Sequence, residues 1–129
     1  TILKLGRELE NLDIVNDQIG TPTYAKDLAK TIMTIVQSKE FNKKTFQTGI
    51  YNFSNEGFCS WYDFAKTIFE LTDVKCNLCP IETVEYPTPA DRPRYGVLNK
   101  SKIKNKFGVK VSNWKDSIQE CLSVLEETA

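Results

Sequence analysis

The stretch "SWYDFAKTIFEL", residues 60–71, gives the clearest structural signal in the chain. Ser60 is followed three residues later by Asp63, the pattern of a capping box, in which each side chain accepts a backbone N–H at the start of a helix. Helical spacing then predicts a buried stripe made of Trp61, Phe64, Ala65, Ile68 and Leu71. We therefore expect an amphipathic helix that uses its aromatic residues as core, the alternative being a platform for a ligand.

Further helices and strands are predicted on both sides of this helix. Apolar residues at helical spacing predict four more helices, at residues 2–10, from 25 onward, near 99–106 and from 113 onward. Short runs of apolar, aromatic or β-branched residues predict strands at 12–15, 50–54 and 74–84. About five helices alternating with several short strands are typical of an α/β fold.

The ends of these helices also carry signals. Thr23 is placed to cap the helix that begins near residue 25, Gly108 can end the helix near 99–106, and Asn113 or Ser112 can cap the last helix. The helix from residue 25 is expected to pack inward through an apolar stripe made of Ala25, Leu28, Ala29, Ile32, Ile35 and Val36.

Charge and hydropathy exclude two classes of partner. The chain has 17 basic and 17 acidic residues, so it has no overall positive field to attract nucleic acid. It has no apolar run near the ~20 residues that a membrane-spanning helix requires. The most basic stretch, "NKSKIKNKFGVK" at 99–110, is interpreted as a solvated face, with an anion-attracting patch as the alternative.

The four cysteines, Cys59, Cys76, Cys79 and Cys121, include one closely spaced pair in "CNLC". A structural zinc site needs a second such pair or histidines, and the chain has neither. We therefore predict no metal and interpret the thiols as structural, with redox chemistry as the alternative. Reduced thiols are typical of a cytoplasmic protein.

Two loops have the composition of a ligand-binding site. In "QIGTPTY", residues 18–24, Gln18 can donate and accept hydrogen bonds, and Thr21 and Thr23 offer hydroxyls. Gly20 and Pro22 fix the path of the backbone there.

The second loop, "EYPTPADRPRYGVLN" at 85–99, contains three prolines and cannot form the interior of a helix. Its Arg92 offers a planar fork that matches two phosphate oxygens, and Pro93 restricts residue 92 to extended backbone. The alternative for Arg92 is a surface ion pair with Asp91 or Glu85.

Four segments together resemble a known family. They are "VNDQIGTPTYAKDLA", "GIYNFSNEGFCSWYDFA", "PIETVEYPTPADRPRYGVLN" and the tryptophan-led last helix. The chain is similar to the C-terminal portion of the dTDP-4-dehydrorhamnose reductases, which are extended short-chain dehydrogenase/reductases. The resemblance implies a single substrate-binding fragment over residues 1–129 of a Rossmann-type enzyme. It also implies that the N-terminal NADPH-binding domain is absent, and the start at Thr1 within a helical pattern suggests an excised portion.

The resemblance implies a reaction that this portion does not catalyse alone. Such enzymes reduce dTDP-4-dehydro-β-L-rhamnose to dTDP-β-L-rhamnose with NADPH, using a glycine-rich turn and a Tyr-x-x-x-Lys pair in the N-terminal domain. Tyr62 and Lys66 match the Tyr-x-x-x-Lys spacing here, but they lie in the "SWYDFA" segment of the substrate half. We therefore assign no catalytic or cofactor-binding residue to this chain.

The same resemblance assigns roles in substrate binding. Arg92 is the first choice for the diphosphate of the nucleotide sugar, with Gln18, Thr21, Pro22 and Thr23 as the pocket wall. Some relatives hold magnesium through glutamates at a dimer contact, at positions that carry Lys26 and Val124 here. These residues do not suit a hard cation, so a metal is not expected, while a homodimer is expected for the full-length enzyme.

Two alternative functions stay open at this point. One is another nucleotide-sugar reductase or epimerase, because part of the substrate pocket would lie in other sequence. The other is a noncatalytic binding subunit resembling the regulatory subunit of methionine adenosyltransferase.

Overall fold

The computed structural model describes residues 1–46 and 48–127, with side chains through residue 125. Within these ranges the chain forms five α-helices and four short strands, so the predicted α/β class is confirmed. The chain folds into two compact units, each made of two separate segments. We call them the α/β unit, Thr1–Gly20 with Phe58–Val97, and the helical unit, Thr21–Gly57 with Leu98–Ala129.

The α/β unit is built around a pair of parallel strands. Strands β1 (Asn11–Val15) and β4 (Asn77–Ile81) lie in register, with Asn11 opposite Asn77 and Val15 opposite Ile81. Helix α3 (Trp61–Thr72) packs on both strands and on helix α1 (Ile2–Glu8). Gly6 of α1 allows this close approach, because a Cβ there would overlap the ring of Phe69.

The start of α3 forms as the sequence predicts. Ser60 Oγ accepts the backbone N–H of Asp63 at 2.9 Å, and Asp63 Oδ2 accepts the backbone N–H of Ser60 at 3.1 Å. Ala65, Ile68 and Phe69 form the buried face. This reciprocal cap fixes the point at which the chain turns from loop into helix.

The prediction that Trp61 and Leu71 are core residues is wrong. Leu71 is 44% exposed and lies outside the buried face, and Trp61 lies one turn before Ala65, the first buried residue of the helix. Trp61 consequently keeps 54% of its surface exposed.

A two-stranded ribbon, extended by a single bridge to Tyr95, joins the two loops that the sequence singles out. Strand β2 (Ile19–Gly20) pairs antiparallel with strand β3 (Cys59–Ser60), and Ile19 lies opposite Ser60. On its other side Ile19 pairs in parallel with Tyr95, because its N–H donates to Arg94 O and its carbonyl accepts from Gly96 N, both at 2.8 Å. The proline-rich loop is therefore hydrogen-bonded to the residue that follows Gln18.

The helical unit contains helices α2 (Ala25–Gln37), α4 (Ser101–Phe107) and α5 (Trp114–Glu127). The predicted ends are confirmed, since Gly108 takes the left-handed conformation (φ 65°) after α4 and Asn113 Oδ1 accepts the N–H of Lys115. Its buried apolar residues come from α4, α5 and the connecting segment: Ile103, Phe107, Val109, Trp114, Ile118 and Leu122.

Helix α2 contradicts its sequence pattern. Most of the expected apolar stripe is exposed, with Ile32 51% and Val36 45% exposed, and Ile35 packs against the core of α4, while the polar residues Asp27 and Thr31 are buried. Thr23 does not cap the helix either: the N-cap position is Tyr24, no described side chain caps the first turn, and the N–H of Tyr24 donates to the side chain of Asn55. The sequence periodicity correctly separates an apolar face from a polar face. Asp27 on the polar face is buried because it hydrogen-bonds to Asn55 and Ser117.

The strand prediction at 50–54 is wrong, and that at 74–84 is too long. Residues 50–54 form no strand: Tyr51 and Phe53 pack against the α4 core, while Ile50 is 84% exposed. Strand β4 stops at Ile81, and Thr83–Glu85 form one turn of 3₁₀-helix. Alternating side chains alone do not make a strand when no neighbouring strand offers hydrogen bonds.

The position of the cysteine pair at β4 bears on the redox alternative. Cys79 lies in the strand and Cys76 precedes it, and all four cysteines are free thiols. Residues three apart in extended chain point to opposite faces and are separated by about 10 Å, too far for a disulfide.

No helix among those described has the length and apolar character needed to cross a bilayer.

Replacing Ser60 by alanine should destabilise the protein by about 0.5–2 kcal/mol, because the N–H of Asp63 loses its acceptor at the start of α3. Denaturant unfolding measures this loss. Ser101→Ala is the matched control, since Ser101 also begins a helix and its hydroxyl caps no backbone group in the described structure. Equal stability of the two variants would contradict the assigned role of the cap.

Candidate functional site

The carboxylate of Asp17 and the side chain of Gln18 meet at Thr83. Asp17 Oδ1 accepts the backbone N–H of Thr83 at 2.9 Å and its hydroxyl at 2.6 Å. The same hydroxyl accepts a hydrogen bond from Gln18 Nε2 at 3.1 Å. The hydrogen bond from the Thr83 hydroxyl lowers the pKa of Asp17, with a smaller contribution from Arg94. Gln18 is therefore held in one orientation at the end of β1.

Asp17 and Thr83 are not found by sequence reasoning. They are 66 positions apart, so no local pattern indicates the pairing. The sequence offers two signals, the acidic residue Asp17 in a loop and the segment "ETVE" at 82–85. Both features are too common in proteins to predict this pairing.

Two guanidinium groups extend from the loop that pairs with Ile19. Arg94 lies 3.9 Å from Asp17 Oδ2 and keeps 80% of its side chain exposed. Arg92 is exposed and forms no ion pair with any described side chain, so the alternative pairing with Asp91 or Glu85 is not observed. Arg92 thus retains its full set of donors for an anion.

Thr21, Pro22 and Thr23 belong to the helical unit, whereas Gln18 and Arg92 belong to the α/β unit. The structure brings Gln18 together with the arginine loop through Ile19. Thr21 is fixed separately, because its hydroxyl donates to the carbonyl of Gly57 at 2.8 Å. Thr23 is exposed and Pro22 is half-buried.

The segment from Thr21 to the start of α2 is anchored by the fully buried amide of Asn55. Asn55 Oδ1 accepts the N–H of Tyr24 at 2.8 Å. Its Nδ2 donates to Asp27 Oδ2 at 2.7 Å, to Ser117 Oγ at 2.8 Å and to the carbonyl of Ser112 at 3.2 Å. Ser117 in turn donates to Asp27 Oδ2. One side chain therefore joins α2, α5 and the loop at 54–57.

The backbone of Asn55 is held by a buried lysine. Lys100 Nζ donates to the carbonyl of Asn55 at 2.9 Å and lies 3.5 Å from Glu56 Oε2. Lys104 donates to the other oxygen of Glu56 at 2.7 Å. The hydrogen bond from Lys104 lowers the pKa of Glu56, and the charge of Lys100 adds to this effect. Lys100 and Lys104 of the basic stretch therefore stabilise the fold. The interpretation of this stretch as a solvated face is wrong for these two residues.

The residues considered for catalysis or metal binding have other surroundings. Lys26 donates to Glu120 Oε1 at 2.5 Å, an interaction that raises the pKa of Lys26, and Val124 is exposed. No group of three or more acidic, cysteine or histidine side chains among those described could hold a metal ion. Tyr62 and Lys66 lie along a shallow cleft beside Cys76 on the outer side of α3.

These features describe an α/β portion with an arginine-bearing loop, and comparison with known proteins identifies its family. The sequence model described as "RmlD substrate binding domain" matches residues 1–127. The chain belongs to the RmlD substrate-binding domain family, which confirms the resemblance found in its four segments.

Individual relatives agree with this assignment. The chain is 36% identical over 122 residues to the spore coat polysaccharide biosynthesis protein SpsK of Bacillus subtilis, covering 95% of this chain and 40% of that protein. A dTDP-4-dehydrorhamnose reductase structure from Clostridium acetobutylicum matches with a TM-score of 0.87 and 35% identity, over 97% of this chain and 42% of that one. The Bacillus anthracis reductase, solved with NADP, matches with a TM-score of 0.80 and 34% identity over 92% and 40%. The chain thus spans about two fifths of the length of these relatives.

Asn55→Ala should destabilise the protein by about 2–4 kcal/mol, because it leaves Asp27, Ser117 and a backbone N–H buried without their partner. Urea unfolding measures the loss. Asn42→Ala is the control, since the Asn42 amide also bonds backbone carbonyls but at the exposed surface, where about 0.5 kcal/mol is expected. A loss at Asn55 no larger than at Asn42 would show that the network is not stabilising.

Glu56→Gln should remove a pH-dependent part of the stability. The pKa of Glu56 lies below its ordinary value of 4.5 in the folded protein, so its contribution is present above that value and is lost as the pH falls through the folded pKa. Melting temperatures of wild type and variant should therefore differ near neutral pH and converge in acid. Glu70→Gln, an exposed glutamate with no ion pair in the described structure, should show no such convergence. A constant difference at every pH would contradict the charge-pair explanation.

Proposed function

We propose that this chain is the substrate-binding part of a dTDP-4-dehydrorhamnose reductase, which reduces dTDP-4-dehydro-β-L-rhamnose to dTDP-β-L-rhamnose with NADPH. The observation that carries the proposal is the family match over 127 residues. The likeness to two solved reductases, each at least 34% identical, supports it.

The cofactor would rest on residues outside this chain. The six glycines, at positions 6, 20, 49, 57, 96 and 108, form no glycine-rich turn that could approach a dinucleotide pyrophosphate. These residues do not fit NADPH, and we derive no part of the reduction from them. The role proposed for this chain is to bind and orient the nucleotide sugar, and the fragment by itself is expected to be inactive.

Arg92 is proposed to bind the diphosphate of that substrate. Its guanidinium is exposed and without an ion pair in the described structure, and its planar fork can meet two phosphate oxygens at once. The neighbouring prolines limit the conformations of the free loop, which lowers the entropy cost of binding. The hydrogen bonds of Ile19 to Arg94 and Gly96 anchor one end of the same loop.

The remaining proposed substrate contacts have less support than that of Arg92. Gln18 is oriented by Thr83, and Thr21 is oriented by Gly57, so each offers a fixed polar edge to a ligand. Pro22 and Thr23 stay predicted substrate contacts. The free thiols support a reducing, cytoplasmic location, and a homodimer of the complete enzyme stays a prediction.

Arg92→Ala in the complete gene product that contains this chain should weaken substrate binding by roughly 10- to 100-fold, because a charged hydrogen bond contributes about 1.5–3 kcal/mol. Binding of NADPH should be unchanged. Calorimetric titration with each ligand separates the two effects, and Arg7→Ala, which removes an exposed arginine from α1, is the matched control. Equal weakening of both ligands would argue against a diphosphate contact.

The activity itself is tested by oxidation of NADPH with dTDP-4-dehydrorhamnose, using the complete gene product and this chain alone as the control. Turnover by the complete product only is the expected result. A folded product that binds NADPH but does not turn over this substrate would reject the proposed reaction in favour of another nucleotide sugar.

A further inference from the structure

The indole of Trp61 is more than half exposed although the residue lies at a fixed helix start. It lies at the first position of α3, and its ring meets Phe64 edge-on, with centroids 6.4 Å apart and planes at 79°. An edge contact of this kind leaves a face of the indole uncovered, in agreement with the 54% exposure of the residue. A large aromatic surface at a fixed helix start is suited to stacking on a flat ligand.

The ribbon places Trp61 in line with the arginine loop. Ile19 pairs with Ser60 on one side and with Tyr95 on the other. Trp61 follows Ser60, Gln18 precedes Ile19 and Arg94 precedes Tyr95, so these three residues lie at the same end of the paired segments, in that order across them. With about 4.8 Å between strands, the backbones of Trp61 and Arg94 are about 10 Å apart, a separation that one nucleoside can span.

Two of the three paired segments have no side chain beside this end. Gly20 lies opposite the buried Cys59, and a Cβ added to Gly20 would meet no atom within 4 Å. A Cβ on Gly96 would meet its nearest atom, the carbonyl oxygen of Ile19, only at 3.8 Å. This end of the paired segments thus has an aromatic residue on one side, a guanidinium group on the other and glycine backbone beside them.

We propose that Trp61 is the stacking surface for the nucleobase of the bound nucleotide, whose phosphates lie toward Arg94 and Arg92. This inference rests on the proposed function and adds a residue that recognises the base. An aromatic ring and a cation in this order match a planar base joined through a sugar to phosphates. Trp61 is a specificity residue for nucleotide over phosphate and plays no part in the reduction.

The test compares two ligands on the complete gene product: dTDP, which has the base, and inorganic pyrophosphate, which does not. Trp61→Leu should weaken dTDP binding by roughly 5- to 100-fold, the range for loss of one base stack, and leave pyrophosphate binding unchanged. Trp61→Phe should restore most of the affinity, because a smaller ring still stacks. Phe41→Leu, which alters an exposed aromatic residue of the helical unit, is the control and should change neither ligand. Titration calorimetry supplies the dissociation constants, and thermal unfolding checks that each variant is folded.

The outcomes separate this inference from the proposed function. Arg92→Ala should weaken both ligands, so it reports on the phosphate contact independently of the base. Unchanged dTDP affinity in Trp61→Leu, or equal weakening of dTDP and pyrophosphate, would overturn the stacking role while leaving the proposed function standing. Failure of the wild type to bind dTDP at all would overturn both proposals.

Discussion

The hydrogen bonding of the Asn55 side chain is the constraint on which the helical unit depends. A primary amide buried without partners would be strongly unfavourable, and here the amide oxygen and both amide hydrogens are used. Satisfying it requires Asp27 on α2 and Ser117 on α5 to point inward. This requirement explains why α2 buries its polar side, and why the chain after Thr21 enters the helix at a fixed point.

Local interactions are the part of the fold that could be predicted from the sequence. The capping box of Ser60 and Asp63, the left-handed Gly108 and the cap at Asn113 each involve residues within a few positions of one another. The inward face of α2 could not be predicted this way, because Asn55 is 28 residues away from Asp27 and Ser117 is 90 away. The strand prediction at 50–54 is wrong for a similar reason. A strand forms only where a neighbouring strand offers hydrogen bonds, and the local sequence does not reveal that neighbour.

The residues of the candidate site also separate into those that the sequence predicts and those that it does not. Arg92 and Gln18 could be selected from residue chemistry and from a resemblance carried by four segments, and the ribbon around Ile19 places their loops side by side. The hydrogen bonds between Asp17 and Thr83 could not be predicted from the sequence, because they depend on where β1 and β4 end relative to each other. Helical periodicity wrongly places Trp61 in the core, because it does not reveal how far the packed surface extends along the helix axis.

The shared bonds among Asn55, Asp27 and Ser117 also limit how this sequence can diverge. Each of the three is hydrogen-bonded to the other two, so the effects of single substitutions are coupled and do not add. An apolar replacement of the whole trio would still deprive the N–H of Tyr24 and the carbonyl of Ser112 of the Asn55 amide. The trio is therefore tied to the backbone around it, and substitutions should be tolerated best on the outward face of α2 and in the exposed loops.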